Sequence, residues 1–87
     1  MITQIRKRDG RTTTFNIEKI AQAIYKAAQS VGGSDYNTSL ELADKVCDMI
    51  DAKYGSKYIP TVEQIQDLVE KVLMEEGHAK TAKSYIL

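Results

Sequence analysis

Arg6, Lys7, Arg8 and Arg11 crowd around the dipeptide Asp9-Gly10, and Lys19 follows a short way on. Side chains of this kind bind anions through charge-assisted hydrogen bonds; they do not break bonds alone. Asp-Gly is a strong hairpin signal, so these cations fall on both arms and on the turn, where they converge. The second arm leads straight into a helix start at Asn16. The free N–H groups and dipole of such a start favour an anion, and Lys19 in the first turn can point back to the same place. The arrangement suits a polyphosphate. The plain alternative is a polar hairpin tip, since exposed strands carry Lys and Arg against aggregation. That explains any single arginine, but not the convergence. Ile5 and Phe15 add apolar surface for a base, although Phe15 reads first as a core residue. Thr12, Thr13 and Thr14 carry hydroxyls for a base or ribose and also serve as ordinary strand residues.

Other chemistry finds little support. The chain has no G-x-S-x-G elbow, H-E-x-x-H, G-x-x-x-x-G-K-[ST] loop or G-x-G-x-x-G fingerprint. Cys47 lies on the apolar stripe of a helix and reads as a small buried hydrophobe rather than a reactive thiol. His78 follows Gly77 at a helix junction and reads as a capping or surface residue. One Cys and one His do not make a Cys/His zinc site. The carboxylates are spread at helix-surface spacing. The expectation is a binding domain without catalytic residues.

The elements that hold the cations follow from pattern. A chain of 87 residues, 43% hydrophobic, is one domain with one modest core. No apolar run approaches the ~20 residues of a membrane span. The start is polar and then basic, unlike a signal peptide, and a lone Cys suits a reducing compartment, so the expected location is cytoplasmic. Formal net charge is zero, yet residues 1–20 carry five basic against two acidic side chains, while residues 35–76 hold ten acids against four lysines. One cationic end on an acidic body fits a small local anion and argues against a nucleic-acid partner, which needs a broad basic face.

Ile2–Lys7 and Thr12–Phe15 read as the two strands of the hairpin. Asn16 is the N-cap of a first helix with Ile17, Ile20, Ala21, Ile24, Ala28 and Val31 at helical spacing, ended by Gly32-Gly33. Thr38-x-x-Glu41 predicts a capping box that opens a second helix after a loop over Ser34–Asn37; its stripe is Leu42, Ala43, Val46, Cys47 and Ile50. Tyr58-Ile59 before Pro60 offers a short third strand beside the hairpin. Thr61-x-x-Gln64 opens a third helix with Val62, Ile65, Leu68, Val69, Val72 and Leu73 on one face. A fourth helix runs from His78 to Leu87 with Ala79, Ala82, Tyr85 and Ile86 in phase. The fold class is α+β, a four-helix bundle capped by a small sheet. The apolar ending Tyr85-Ile86-Leu87 reads as a cut inside a helix, so residues 1–87 are expected to be a single domain from the N-terminus of a longer chain.

Ile5-x-Lys7-Arg8-Asp9-Gly10-Arg11 followed by Phe15-Asn16-x-x-Lys19-Ile20 resembles the start of the ATP-cone, the nucleotide-sensing regulatory domain of ribonucleotide reductases. Residues 61–70, TVEQIQDLVE, and the ending Ala82-Lys83-Ser84-Tyr85-Ile86-Leu87 are similar to that family too. The resemblance implies ATP or dATP, with Mg2+, bound beneath the hairpin as an allosteric ligand. By similarity Lys7, Arg8 and Lys19 would hold phosphates. The backbone at Ile5 and the side chain of Asn16 would hold the base, and Thr61 would close the pocket. Three positions depart from the family pattern. Thr13 stands where some members carry an acid. Gln64 or Gln66 stands where others place a His. The basic residue that follows the Tyr-Ile-Leu run is not in this chain.

The implied function is allosteric. ATP activates and dATP inhibits a parent reductase by shifting its oligomeric state, with the parent's catalytic domain or subunit as partner and a homo-oligomer through a helix face compatible with that. Two alternatives belong to other classes. One is the ATP-cone of a nucleotide-responsive repressor of reductase genes, whose zinc ribbon this single-Cys chain lacks. The other is a ligand-free helical interaction module.

Overall fold

The computed structural model describes residues 2–86, with the Ile86 side chain left aside; Leu87, expected at the end of the last helix, lies outside the described residues. Two short strands, β1 (Gln4–Arg6) and β2 (Thr12–Thr14), precede four helices: α1 (Ile17–Ser30), α2 (Tyr36–Tyr54), α3 (Val62–Glu75) and α4 (Ala79–Ile86). This is the expected α+β bundle with a small sheet.

β1 and β2 pair antiparallel in the register Gln4–Thr14, Ile5–Thr13 and Arg6–Thr12. Alternation turns Ile5 and Thr13 toward the protein and leaves Gln4, Arg6, Thr12 and Thr14 exposed. The turn closes through the Gly10 N–H on the Lys7 carbonyl at 2.9 Å and the Lys7 N–H on the Arg11 carbonyl at 2.7 Å. Gly10 adopts φ +90°, while among the described residues only glycines have positive φ. The glycine therefore supplies the left-handed step of the turn, which a side chain would strain.

The Asn16 side chain accepts from the Glu18 N–H and starts α1, as its sequence position predicts. Helix α2 departs from expectation. Its N-cap is Asp35, not Thr38, so Tyr36 and Asn37 are helical rather than loop. Asp35 Oδ1 accepts the Asn37 N–H at 2.9 Å, and the Tyr36 ring meets Tyr25 of α1 edge-on with centroids 5.2 Å apart. A cap plus an aromatic contact starts the helix one turn before the Thr38-x-x-Glu41 pattern. The connection from α1 is correspondingly tight. A Cβ on Gly33 would lie 3.0 Å from the Ala28 Cβ and 3.1 Å from its carbonyl oxygen. The capping box of α3 forms as predicted, Thr61 and Gln64 each satisfying the other's N–H.

The expected third strand reduces to one isolated parallel bridge between Arg6 and Thr61, made by the Arg6 N–H on the Pro60 carbonyl at 2.8 Å. Pro60 has no N–H to extend the ladder. This single link still matters, because it joins the hairpin to the start of α3.

Helix α1 packs on α2 and α4, α2 on α3, and α3 on α4, a closed ring of four. Its core is Ile20, Ala21 and Ile24; Leu42, Ala43, Val46 and Ile50; Ile65, Leu68, Val69, Val72 and Leu73; and Ala82, with Ile2 at the hairpin end. Phe15 is half-buried against it, as a core residue should be. Cys47 is buried, and desolvation first, then nearby aspartates, pushes its thiol up to about 11. Two stripe residues turn out exposed. Val31 caps α1 at 42% exposure and Ala79 opens α4, while Ala27 and Thr81 are buried in their helices. No helix among the described residues is long and apolar enough to cross a membrane.

Candidate nucleotide site

Three segments meet at one end of the bundle: the hairpin, the first turn of α1 and the first turn of α3. Covalent continuity through Phe15 and Asn16 places the first two together, and the Arg6–Thr61 bridge brings in the third. All six residues expected at the site, Ile5, Lys7, Arg8, Asn16, Lys19 and Thr61, fall on these segments.

Ile5 is half-buried on the inner face of β1, opposite Thr13. Asn16 spends its Oδ1 on the α1 cap at 2.9 Å, which leaves its Nδ2 amide as a donor pair. Thr61 Oγ1 accepts the Gln64 N–H at 3.1 Å, and Gln64 Oε1 in turn accepts the Thr61 N–H at 2.9 Å and the Tyr58 hydroxyl at 3.2 Å. Gln64 is thus half-buried and held beside Thr61, whereas Gln66 is exposed. Of the two glutamines, Gln64 is the one built into this corner. Tyr58 is stacked on Tyr54 with centroids 4.6 Å apart, which steadies the segment that leads into α3.

The cations do not all converge. Arg6 Nη1 donates to the Gly10 carbonyl at 2.8 Å, and Arg11 Nε donates to Asp9 Oδ2 at 2.7 Å; both tie up the hairpin's own turn. Arg8 Nε donates to Glu63 Oε1 at 2.7 Å, across to the first turn of α3. Lys7 and Lys19 are exposed and make no side-chain hydrogen bond or ion pair among the described residues. The expected convergence of five cations becomes two unengaged lysines and one arginine already holding a carboxylate. The α1 terminus is also less open than expected. The Glu18 N–H is capped and the Lys19 N–H donates to the Asn16 carbonyl at 3.1 Å, so both are spent within the first turn.

Two carboxyls lie below their ordinary range here. The Arg11 N–H and then its guanidinium lower Asp9, while Glu63 is lowered by its own N–H and then by Arg8. Glu63 was not legible as a site neighbour, because its partner is 55 residues away in sequence. Asp9 and Arg11, two residues apart with opposite charge, did carry a signal.

Other features lie elsewhere. A cleft of about 400 Å³ between α2 and α3 is lined by Lys53, Tyr54, Asp67 and Lys71, and shares only Gln64 with the corner described above. His78 sits at the far end, its N–H on the Leu73 carbonyl and its own carbonyl accepting the Ala82 N–H, a junction role. Among the described residues no group of three or more His, Cys, Asp or Glu side chains could hold a metal ion.

A sequence model of the ATP cone domain matches residues 3–87. A vitamin B12-dependent ribonucleoside-diphosphate reductase of Thermoplasma acidophilum is 46% identical over 92 aligned positions, covering 100% of this chain and 12% of the relative. The ribonucleoside-diphosphate reductase subunit alpha of Chlamydia pneumoniae is 36% identical, covering 99% of this chain and 9% of its own length. An anaerobic ribonucleoside-triphosphate reductase of Haemophilus influenzae is 34% identical over 92% of this chain and 11% of its own. The chain therefore spans roughly a tenth of the curated relatives it matches. On a match that runs through the hairpin, all four helices and the corner between them, this chain belongs to the ATP-cone domain family.

Proposed function

We propose that this chain is the allosteric nucleotide-sensing domain of a ribonucleotide reductase, one regulatory unit of a longer cytoplasmic protein, without catalytic residues of its own. ATP or dATP binds at the corner formed by the hairpin and the starts of α1 and α3. Lys7 and Lys19 take phosphate oxygens, joined by Arg8. The Ile5 backbone and the Asn16 Nδ2 amide hold the base, and Thr61 with Gln64 closes the pocket. Mg2+ arrives on the phosphates, as it does where a protein offers no carboxylate cage.

The observation that carries this reading is the Arg6–Thr61 bridge, which joins the hairpin, and α1 continuous with it, to the start of α3, with Lys7 and Lys19 exposed and without a side-chain hydrogen bond or ion pair among the described residues. The family match supplies the ligand class. ATP favours an active parent and dATP an inactive one. The two differ by one hydroxyl, so each must bind the two states of the parent unequally. Coupling of about 1–3 kcal/mol is typical of such switches. The signal leaves through an exposed helix face, toward the catalytic part of the parent or a second copy of the domain.

Calorimetric titration with ATP, dATP and GTP in magnesium tests the reading. Adenine nucleotides bind and GTP binds more weakly. Lys7→Ala reduces ATP affinity by about 10- to 100-fold, the worth of one charge-assisted phosphate contact. Equal binding of all three nucleotides, unaffected by Lys7→Ala, rules the site out.

A further inference from the structure

Arg8 holds a carboxylate of its own chain. Its Nε donates to Glu63 Oε1 at 2.7 Å, and both side chains stand well in solvent, 74% and 50% exposed. The contact is a single hydrogen bond to one edge of the guanidinium, not a bidentate clamp. Glu63 lies two residues after Thr61, in the first turn of α3, so the pair ties the hairpin turn to that helix beside the proposed phosphate position. An exposed ion pair of this kind is weak and exchanges readily. A triphosphate offers Arg8 more negative charge and more acceptor oxygens than a carboxylate does. A carboxylate left alongside that triphosphate would be repelled by it.

We infer that Glu63 is a built-in competitor for the nucleotide: its carboxylate occupies Arg8 in the empty domain, and the phosphates displace it on binding. The inference rests on the nucleotide reading above and deepens it. Two consequences follow. Glu63 sets the affinity of the site downward, because part of each Arg8–phosphate contact is spent on breaking Arg8–Glu63. It also makes binding visible at α3, since the direct tether between hairpin and helix is replaced by one that runs through the ligand, and the Glu63 side chain is released on the outer face of the first turn.

The competing arrangement is that Glu63 orients Arg8 for phosphate and stays in place. The two differ in sign. Titrations of MgATP and of adenosine into wild type, Glu63→Gln, Arg8→Ala and the double variant separate them. Under competition, Glu63→Gln tightens MgATP by about 1.5- to 5-fold, the range expected from an exposed pair, and leaves adenosine unchanged. The tightening disappears in the Arg8→Ala background. In addition, Glu63→Gln moves the Arg8 Nε–H resonance of the free protein, and that difference vanishes once both proteins are saturated with MgATP. Weaker or unchanged MgATP affinity in Glu63→Gln overturns the inference. So does equal tightening in the Arg8→Ala background, which would make Glu63 a diffuse charge and not a partner of Arg8. A wild-type chain that binds no MgATP overturns the underlying reading; MgATP binding that ignores Glu63→Gln overturns this inference alone.

Discussion

Ile24, Val46, Ile50, Val69 and Leu73 are fully enclosed between helices, while Arg6, Lys7, Arg8, Asp9 and Arg11 all face water on the hairpin. The first group works by removing apolar surface from water, a force that needs no partner of defined direction. The second group works by directional contacts between exposed charges, which add little stability. The four helices supply most of the core, and the hairpin joins them through Ile2, Ile5 and Phe15 at the edge of that core and through the Arg6–Thr61 bridge. On the proposed function, this exposed cationic element is well placed to respond to an anion. Elements that move in regulation come from the low-stability end of a structure. On the proposed function, stability and recognition fall largely on different residues, and substitutions should separate them.

The sharpest break is in the core. Leu73→Ala empties a fully buried position and should destabilise the domain by about 2–5 kcal/mol, read as a drop in thermal or denaturant midpoint. Nucleotide affinity should persist below the new midpoint. Lys7→Ala is the mirror image: ATP affinity falls by the factor given above, and the midpoint of the unliganded domain does not move. A Lys7→Ala protein that melts early would erase the distinction. Thr61 sits on the border, since it caps α3 and adjoins the hairpin. Thr61→Ala should cost about 0.5–2 kcal/mol of stability through the lost cap and also weaken ATP, the one substitution here to register in both assays.

Acid makes the smallest difference and affects one region first. Asp9 and Glu63 have folded values below their ordinary 3.8 and 4.5, so their contribution is complete above the ordinary range and drains away as pH falls through the lowered values. Hairpin and α3 first-turn amide resonances should therefore titrate below the ordinary carboxylate range while the enclosed positions of α1 and α3 hold their shifts. Simultaneous loss of both regions would mean that the hairpin and bundle unfold as one unit.

The same division explains what the sequence discloses. Helices α1 and α3 announce themselves through apolar spacing and the local caps at Asn16 and Thr61, and both caps form where they are written. The Asp9-Gly10 hairpin is equally local. Helix α2 starts earlier than the Thr38 pattern predicts, because two capping patterns compete within four residues. The choice of Asp35 over Thr38 accompanies a Tyr36–Tyr25 contact that no local pattern contains. The residues of the proposed site can be picked out in the sequence, since the motif from Ile5 to Lys19 is continuous and Thr61 opens its own capping box. Their wiring cannot. Arg6 turns to Gly10, Arg11 to Asp9 and Arg8 to Glu63, and like charges in a row do not reveal which oxygen each will find. A single bridge at Thr61 stands where Tyr58 and Ile59 suggested a strand, because one proline carbonyl makes the link and the proline ring stops it.

The central claim is that nucleotide binds at the hairpin end and nowhere else on the domain. Residue-resolved amide hydrogen exchange with and without saturating MgATP tests it directly. Slower exchange confined to residues 4–14, 17–20 and 61–65, with residues 33–39 and 78–81 at the far end unchanged, is the predicted result. Slower exchange around Lys53 and Lys71 in the α2–α3 cleft, with the hairpin amides unaltered, would contradict the account.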